Sequence, residues 1–281
     1  MAEILKGKDV VAALKEKMIA DVEALKARGI VPTLAIVRVG ERGDDIAYER
    51  GATKRCAGVG VEVKNIVLPA DATQEELIAE IEKINKDPSI HGCLLFRPLP
   101  KHMDDDTVRR ALAPEKDVDG ITDISMAGVY SGSNLGFPPC TPKACMEILD
   151  FYNIDVTGKN VVVIGRSLVV GKPAAMMLIK KNATVTVCHT KTKDMALICK
   201  KADIIIASAG RAGVVDNSYL SPGQVVIDVG INVDDEGNLK GDVDFEAAEK
   251  TVAAITPVPG GVGTVTTSVL VKHVIEAAKK D

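Results

Sequence analysis

Val161-Val-Val-Ile-Gly-Arg-Ser-Leu-Val-Val-Gly-Lys-Pro173 is the stretch that decides the fold. Four β-branched residues read as a buried strand that Gly165 ends. Arg166 and Ser167 lead on to Gly171, and Pro173 stands where a first helical turn begins. A strand that turns through glycine into a helix aims unpaired backbone N–H groups and the positive end of the helix dipole at one place. A pyrophosphate fits there. The spacing is not G-x-G-x-x-G, because Ser167 takes the middle position, so a plain strand-to-helix corner stays open at this point.

Outward from it, strand and helix patterns alternate. Ahead lie an amphipathic helix over 9–28, a strand over 33–39, a helix from 45 to 58 and a strand over 62–68. Thr73 and Glu76 form a capping box opening a helix to Asn85, and a strand over 90–95 is closed by Pro98 and Pro100. Between Pro114 and Thr141 the periodicity lapses and Gly, Ser, Asp and Pro accumulate, the mark of a functional loop or a domain junction. A helix over 142–152 follows, then strands over 160–164, 184–188, 203–208 and 225–229, a short one near 252–255, and an apolar-periodic helix over 265–280. Such alternation with nearly continuous apolar strands implies parallel sheets covered on both faces. The expected fold class is α/β: two α/β domains, the second a Rossmann-type parallel sheet, with an interdomain cleft for ligand. Residues 1–141 are expected to form the first domain, with the helix over 265–281 packing back on it, and 142–264 the second. Thr141 and Pro142 are expected to shape the hinge.

A chain of 281 residues suits one large or two ordinary domains. Aromatic residues make up only 3% with no Trp, and the net charge is −4 with scattered lysines. Stacking platforms and polyanion-binding faces are therefore absent from the pattern, and no nucleic-acid partner is expected. No apolar run approaches the roughly 18 residues of a membrane span, and residues 1–8 lack a basic-then-apolar signal. The six cysteines show neither C-x-x-C nor a His/Cys ligand spacing, so they read as reduced thiols of a cytoplasmic protein without a metal site.

In a dinucleotide domain an acidic residue at the end of the second strand holds the adenosine ribose. Here the strand over 184–188 runs into His189-Thr190-Lys191-Thr192, with no carboxylate before Asp194. A carboxylate would repel a 2′-phosphate, whereas hydroxyls and a cation would hold it, and Arg166 could reach the same region. NADP is therefore expected over NAD. The expected cofactor-binding residues are Gly165, Arg166, Ser167, Gly171, His189, Thr190, Thr192 and Ile231. An ordinary solvated Lys191 is the competing reading.

Five segments stand in one order: Pro114-Glu-Lys-Asp-Val-Asp-Gly120, Pro138-Pro-Cys-Thr-Pro142, the Gly165–Pro173 turn, Asp228-Val-Gly-Ile-Asn232 and Pro257-Val-Pro-Gly-Gly-Val-Gly263. Together they resemble the methylenetetrahydrofolate dehydrogenase/cyclohydrolase family over essentially the whole chain. The resemblance implies oxidation of 5,10-methylenetetrahydrofolate to the 5,10-methenyl cation with NAD(P). It also implies, for most members, hydrolysis of that cation to 10-formyltetrahydrofolate, and a homodimer. The family's active-site helix carries Tyr-x-x-x-Lys, its strand-end motif reads Val-Gln-Leu-Pro-Leu-Pro, and an Asp of Asp-Val-Asp-Gly binds the pterin. Tyr48 matches the tyrosine and Asp119 the aspartate, and both are expected to serve catalysis and substrate binding. The lysine position falls on Ala52, and in Leu95-Phe96-Arg97-Pro98-Leu99-Pro100 the glutamine position falls on Phe96. Phe96, Pro259, Gly260 and Gly261 complete the expected substrate-binding set. Gly260, Gly261 and Gly263 let backbone approach the ligands unless they serve a turn alone, and Asp117 is the expected structural carboxylate.

The two reactions make different demands. Hydride departure removes no proton, so positioning supplies much of the catalysis. Hydrolysis needs an activated water and proton transfer as the ring opens. A lysine held by a glutamine can do that; alanine and phenylalanine cannot. The expectation is a dehydrogenase whose cyclohydrolase activity is lost. Two alternatives stay open: a bifunctional enzyme in which Lys54 or Arg97 has taken over, and a non-catalytic folate- or nucleotide-binding protein. Lys54 lies six positions beyond Tyr48, about 240° around a helix, and so faces elsewhere.

Overall fold

The computed structural model describes residues 1–234 and 236–280. In chain order the elements are β1 (Glu3–Ile4), α1 (Gly7–Ala27), β2 (Thr33–Val39), α2 (Gly43–Ala57), β3 (Glu62–Leu68), α3 (Gln74–Lys86), β4 (Gly92–Leu95), α4 (Asp105–Ala111), α5 (Asp123–Ser131) and α6 (Cys140–Phe151). They continue with β5 (Asn160–Ile164), α7 (Gly171–Lys180), β6 (Thr184–Cys188), α8 (Met195–Cys199), β7 (Ile204–Ala207), β8 (Val225–Asp228), β9 (Asn232–Val233), β10 (Leu239–Lys240), α9 (Phe245–Thr251), β11 (Ala254–Ile255) and α10 (Val262–Ala278). The chain divides into two compact units, 13–140 with 267–280 and 1–12 with 141–266. Asp281, the last residue of the expected returning helix, lies outside the described residues.

The first unit is built on a parallel sheet in the order β3-β2-β4. Leu34, Ala35, Ile36 and Val37 of the central strand are inaccessible to solvent. Leu77, Ile81 and Ile84 of α3, spaced as one helical face, pack with Val37, Cys93 and Leu95. Each such side chain contributes about 1.5–3 kcal/mol by leaving water. The capping box at the head of α3 is formed from both sides: Glu76 N–H donates to Thr73 Oγ1 at 3.2 Å, and Thr73 N–H to Glu76 Oε2 at 2.8 Å. Strand β3 departs from the expected cover on both faces. Glu62, Lys64, Asn65 and Val67 are exposed, and Lys64 pairs with Asp87 at 3.1 Å. Helix α4 comes just before the segment whose periodicity lapses and α5 lies within it; both are short, and Gly132 ends α5 in the left-handed conformation.

The second unit carries a six-stranded parallel sheet in the order β1-β11-β8-β7-β5-β6. From β5 the chain passes outward to β6, then returns to the far side of β5 for β7. Strand order reverses there, which places the ligand crevice of such sheets at the carboxyl ends of β5 and β7. Residues 1–12 group with this unit, where the expected boundary put them with the first. The cause is a parallel ladder that pairs Glu3 with Ala254 and Ile4 with Ile255. Among the described residues no helix is long and apolar enough to cross a membrane. All six cysteines are free and buried.

Candidate functional site

In the first unit, α2 presents Tyr48 and, one turn on, Ala52. The stretch after β4 supplies Phe96, and the turn before α5 supplies Asp119. The structure brings Tyr48, Phe96 and Asp119 together. The rings of Tyr48 and Phe96 meet edge-to-face with centroids 5.8 Å apart. Thr267 of α10 bonds the Tyr48 hydroxyl. Burial foremost, then the neighbouring Asp119 and Cys140, keeps that phenol well above its usual pKa, so it stays neutral. Burial also pushes Asp119 up to about 6; Asp117 adds to the rise, while the Cys140 thiol and Arg97 oppose it. Arg97 is pinned by two bonds to Asp105, with Nε donating to Oδ1 at 2.6 Å.

Asp117 is fully buried and accepts four bonds, from Ile121 N–H (2.9 Å), Thr122 N–H (2.7 Å), Thr122 Oγ1 (2.7 Å) and Ser125 Oγ (2.6 Å). Its acceptor capacity is spent on the head of α5, which makes it a structural carboxylate. Gly120 adopts φ 71°, and a Cβ there would lie 2.5 Å from the Pro139 nitrogen. Only glycine permits this approach, and it holds Asp119 against the turn that leads into α6. Ala52 is fully buried and brings no polar atom, while Lys54 is exposed.

In the second unit the turn between β5 and α7 closes on glycine. A Cβ on Gly165 (φ 123°) would meet Ser208 Oγ at 2.6 Å, and one on Gly171 would lie 2.5 Å from the Gly165 carbonyl carbon and 2.8 Å from Arg166 N. Ser167 shapes the corner: its Oγ accepts from Val170 N–H at 3.1 Å and its carbonyl from Lys172 N–H at 3.0 Å. Among the described residues no acceptor meets the backbone N–H groups of Arg166, Ser167, Leu168 or Val169. Those donors stand at the head of a ten-residue helix.

After β6, His189 and Thr192 form a tight turn: His189 N–H donates to Thr192 Oγ1 at 2.9 Å, and Thr192 N–H to the His189 carbonyl at 2.8 Å. His189 Nδ1 accepts from Lys191 N–H at 3.1 Å, so the proton of a neutral ring sits on Nε2. Arg166, Thr190, Lys191 and Ile231 are exposed.

The motif segment 228–232 is held by two carboxylates that sequence reasoning did not pair. Asp228 accepts from the N–H groups of Gly230 (2.9 Å), Asp242 (3.0 Å) and Val243 (3.0 Å). Asp242 accepts from Gly210 N–H (2.9 Å), Arg211 N–H (2.9 Å) and Asn232 Nδ2 (3.0 Å). Gly260 takes φ 103°, Gly7 N–H donates to its carbonyl at 2.8 Å, and a Cβ on Gly261 would lie 3.0 Å from Thr256 Cβ. Both glycines thus have a turn-forming reason to be there. Among the described residues no group of three or more His, Cys, Asp or Glu side chains is placed to hold a metal ion. Reasoning from residues alone also missed Cys140, Thr267 and His273. Cys140 sat in a quoted motif without a role, and nothing in an apolar-periodic helix marks Thr267 or His273.

A reversed-order parallel sheet with a glycine corner, together with a separate α/β unit carrying a buried carboxylate beside a tyrosine, defines a two-unit dinucleotide-fold protein. The comparisons narrow the class. The catalytic-domain profile of tetrahydrofolate dehydrogenase/cyclohydrolase matches residues 5–119, and the NAD(P)-binding-domain profile matches 139–281. The chain belongs to the tetrahydrofolate dehydrogenase/cyclohydrolase family. It is 52% identical over 279 residues to the bifunctional protein FolD of Alkaliphilus oremlandii, covering 99% of this chain and 98% of the relative. The bifunctional FolD structure from Campylobacter jejuni superposes with a TM-score of 0.97 at 40% identity, covering 100% and 99% of the two chains. The Trypanosoma brucei dehydrogenase–cyclohydrolase, solved with NADP and an inhibitor, gives 0.93 at 36%, covering 99% and 98%.

Proposed function

We propose that this protein oxidises 5,10-methylenetetrahydrofolate to the 5,10-methenyl cation with NADP. The observation that carries the reading is the corner at Gly165–Gly171, whose four unpartnered N–H groups suit a pyrophosphate, followed by a carboxylate-free turn at His189–Thr192. NADP, when bound, supplies the hydride acceptor. Arg166 and the hydroxyls of Thr190 and Thr192 offer a cation and donors to a 2′-phosphate. The NADP found in the Trypanosoma brucei relative supports the same choice.

In the first unit Asp119 accepts hydrogen bonds from the pterin, and Tyr48 and Phe96 supply apolar surface for the folate rings. Pro259, Gly260 and Gly261 remain candidates for the backbone approach to ligand. Losing hydride creates a cation that needs no base, so these residues act by binding and orienting. The family resemblance supports a cytoplasmic homodimer, and sedimentation of the purified chain decides the oligomeric part.

Hydrolysis of the methenyl cation is the second reading, and it fits the relatives better than the expected loss of that activity. A chain half identical along nearly its whole length goes by the name bifunctional. Here the proton carrier cannot be residue 52 or 96, Lys54 is exposed, and Arg97 is pinned by Asp105. Asp119, held at about 6 beside a neutral Tyr48, is the group suited to the task. The buried methyl of Ala52 and the ring of Phe96 favour a dehydrogenase alone. Adding methenyltetrahydrofolate and following its decay against the uncatalysed rate separates the two. Decay at a rate comparable to oxidation establishes the bifunctional enzyme, and decay at the buffer rate establishes the monofunctional one. NADP-dependent oxidation absent from the folded protein refutes both.

A further inference from the structure

Asp242 follows the hairpin of β9 and β10 and is inaccessible to solvent. Its backbone is fixed on both sides: Val215 N–H donates to its carbonyl at 3.0 Å, and its own N–H donates to Asp228 Oδ1 at 3.0 Å. The carboxylate then reaches two further segments. Oδ2 accepts from Gly210 N–H and Oδ1 from Arg211 N–H, both at 2.9 Å, in the loop after β7. Oδ1 also accepts from Nδ2 of Asn232, which opens β9 next to Ile231, at 3.0 Å. All three partners are donors, so both oxygens must be acceptors. Space agrees with the bonding: a Cβ on Gly230 would run into the Asp242 carboxylate, and one on Gly241 into that of Asp228. The loop after β7 in turn bears on the glycine corner. Ser208 N–H and Oγ each donate to the Ile164 carbonyl at 2.8 Å, and a Cβ on Gly165 would meet Ser208 Oγ at 2.6 Å. One buried carboxylate thus joins the loop that abuts the corner after β5 to the segment that carries Ile231 after β8. Strands β8, β7 and β5 are consecutive in the sheet, and their carboxyl ends border the nucleotide crevice.

We propose that Asp242 is a positioning residue for the dinucleotide: its carboxylate holds Gly210, Arg211 and Asn232 together and so sets the loop after β7 and the Ile231 segment in the geometry that NADP binds. The inference rests on the reading of the second unit as an NADP site. Because Asp242 is fully buried, ligand does not reach it, and it acts only through the loops that it ties. Bonds to an ionised acceptor are roughly twice as strong as neutral ones, which suits a clamp on loops that otherwise have little to hold them. The gain is preorganisation: the binding groups stand in place before the nucleotide arrives.

The test compares Asp242→Asn, Asn232→Ala and the exchange Asp242→Asn with Asn232→Asp, using steady-state kinetics, calorimetric NADP titration and amide hydrogen exchange. Asp242→Asn turns an amide NH2 against at least one N–H donor. NADP KM should rise about tenfold to 100-fold, the scale of one mismatched buried bond, while folate KM and kcat at saturating NADP hold. Amide exchange at Gly210 and Arg211 should quicken while β5 stays protected. The exchange variant again sets a donor against a carboxylate between residues 232 and 242, and it should recover part of the loss. Asn232→Ala removes one donor at a half-buried position and should raise NADP KM about threefold to tenfold, so the inference stays testable if Asp242→Asn does not fold. A folded Asp242→Asn or Asn232→Ala protein with wild-type NADP KM overturns it. Equal rises in NADP and folate KM, with no recovery on exchange, indicate general loosening and overturn it as well. If the folded wild type shows no saturable NADP binding, the nucleotide reading fails and this inference falls with it.

Discussion

Replacing Gly171 by alanine puts a methyl group where three backbone atoms already stand: the Gly165 carbonyl oxygen and carbon and Arg166 N. Its Cβ would lie 2.5 Å from the Gly165 carbonyl carbon and 2.8 Å from Arg166 N, against an ordinary contact of about 3.5–4.0 Å. No side chain can rotate away, so the turn itself must retreat by about 1 Å. Overpacking of this kind costs about 1–3 kcal/mol. Alanine's better helix propensity returns at most about 1 kcal/mol, because residue 171 is the first of α7 and only half committed to the helix. The net result is a lower melting temperature. The larger effect falls on the nucleotide, since the displaced segment carries the four N–H groups of residues 166–169. Misplacing binding groups by about 1 Å costs up to about 100-fold, so NADP KM should rise between about tenfold and that limit while folate KM holds. Gly43→Ala is the control, because no atom lies within 4 Å of its Cβ position. Steady-state kinetics and thermal denaturation with and without NADP supply the readouts. A Gly171→Ala protein with wild-type NADP KM refutes the corner as the nucleotide site, and a wild-type melting temperature refutes the packing argument.

Arg166→Ala should weaken NADP far more than NAD, read as the ratio of kcat/KM values; equal losses remove Arg166 from the 2′-phosphate. Asp119→Asn turns an acceptor into a donor facing pterin N–H groups, at about 1–3 kcal/mol, so folate KM should rise about tenfold to 100-fold in titrations of the folded variant. In the wild type, folate KM should climb as pH falls through about 6, where Asp119 takes up its proton. The folded-state value exceeds the roughly 3.9 of an unfolded aspartate, so the stability that protonation lends is lost as pH rises from about 4 to about 6. The Asn variant should flatten that slope in denaturant titrations. If the wild type proves monofunctional, Ala52→Lys with Phe96→Gln should introduce methenyl decay above the buffer rate; no gain in a folded protein means the surrounding packing excludes the lysine.

Strands β2, β3, β5 and β6 carry the boundaries read from sequence, because β-branched runs bounded by glycine, proline or polar residues leave little choice of ends. Two-residue ladders such as β1, β9 and β10 have no periodicity to read; β1 exists only through the distant β11, and β9 and β10 only through each other. Helix α4 was hidden by its polar composition and α5 by its shortness, although Asp104 and Thr122 are good N-caps with side chains that accept from Thr107 and Ser125 N–H. At the site, Tyr48, Phe96 and Asp119 were reachable because local motifs mark them. Thr267 and His273 were not, since their neighbours lie more than a hundred residues away and a single sequence carries no trace of that contact.

The ladder between β1 and β11 has a consequence for biogenesis. Strand β1 finds its neighbour only after some 250 further residues have been made, so the six-stranded sheet stays incomplete until late in synthesis of this stretch. Segment 267–280 imposes the mirror-image delay on the other unit, because Val274 fills the space beside Gly92 and Val118 and Lys279 pairs with Asp21 at 2.7 Å. Each half is thus completed by a strip of chain from the opposite end. Cutting the gene at residue 140 would yield two fragments that each lack an edge or a covering helix, with apolar surface open to chaperones and to one another. Co-expressing the fragments would be a complementation experiment rather than a way to obtain two independent domains.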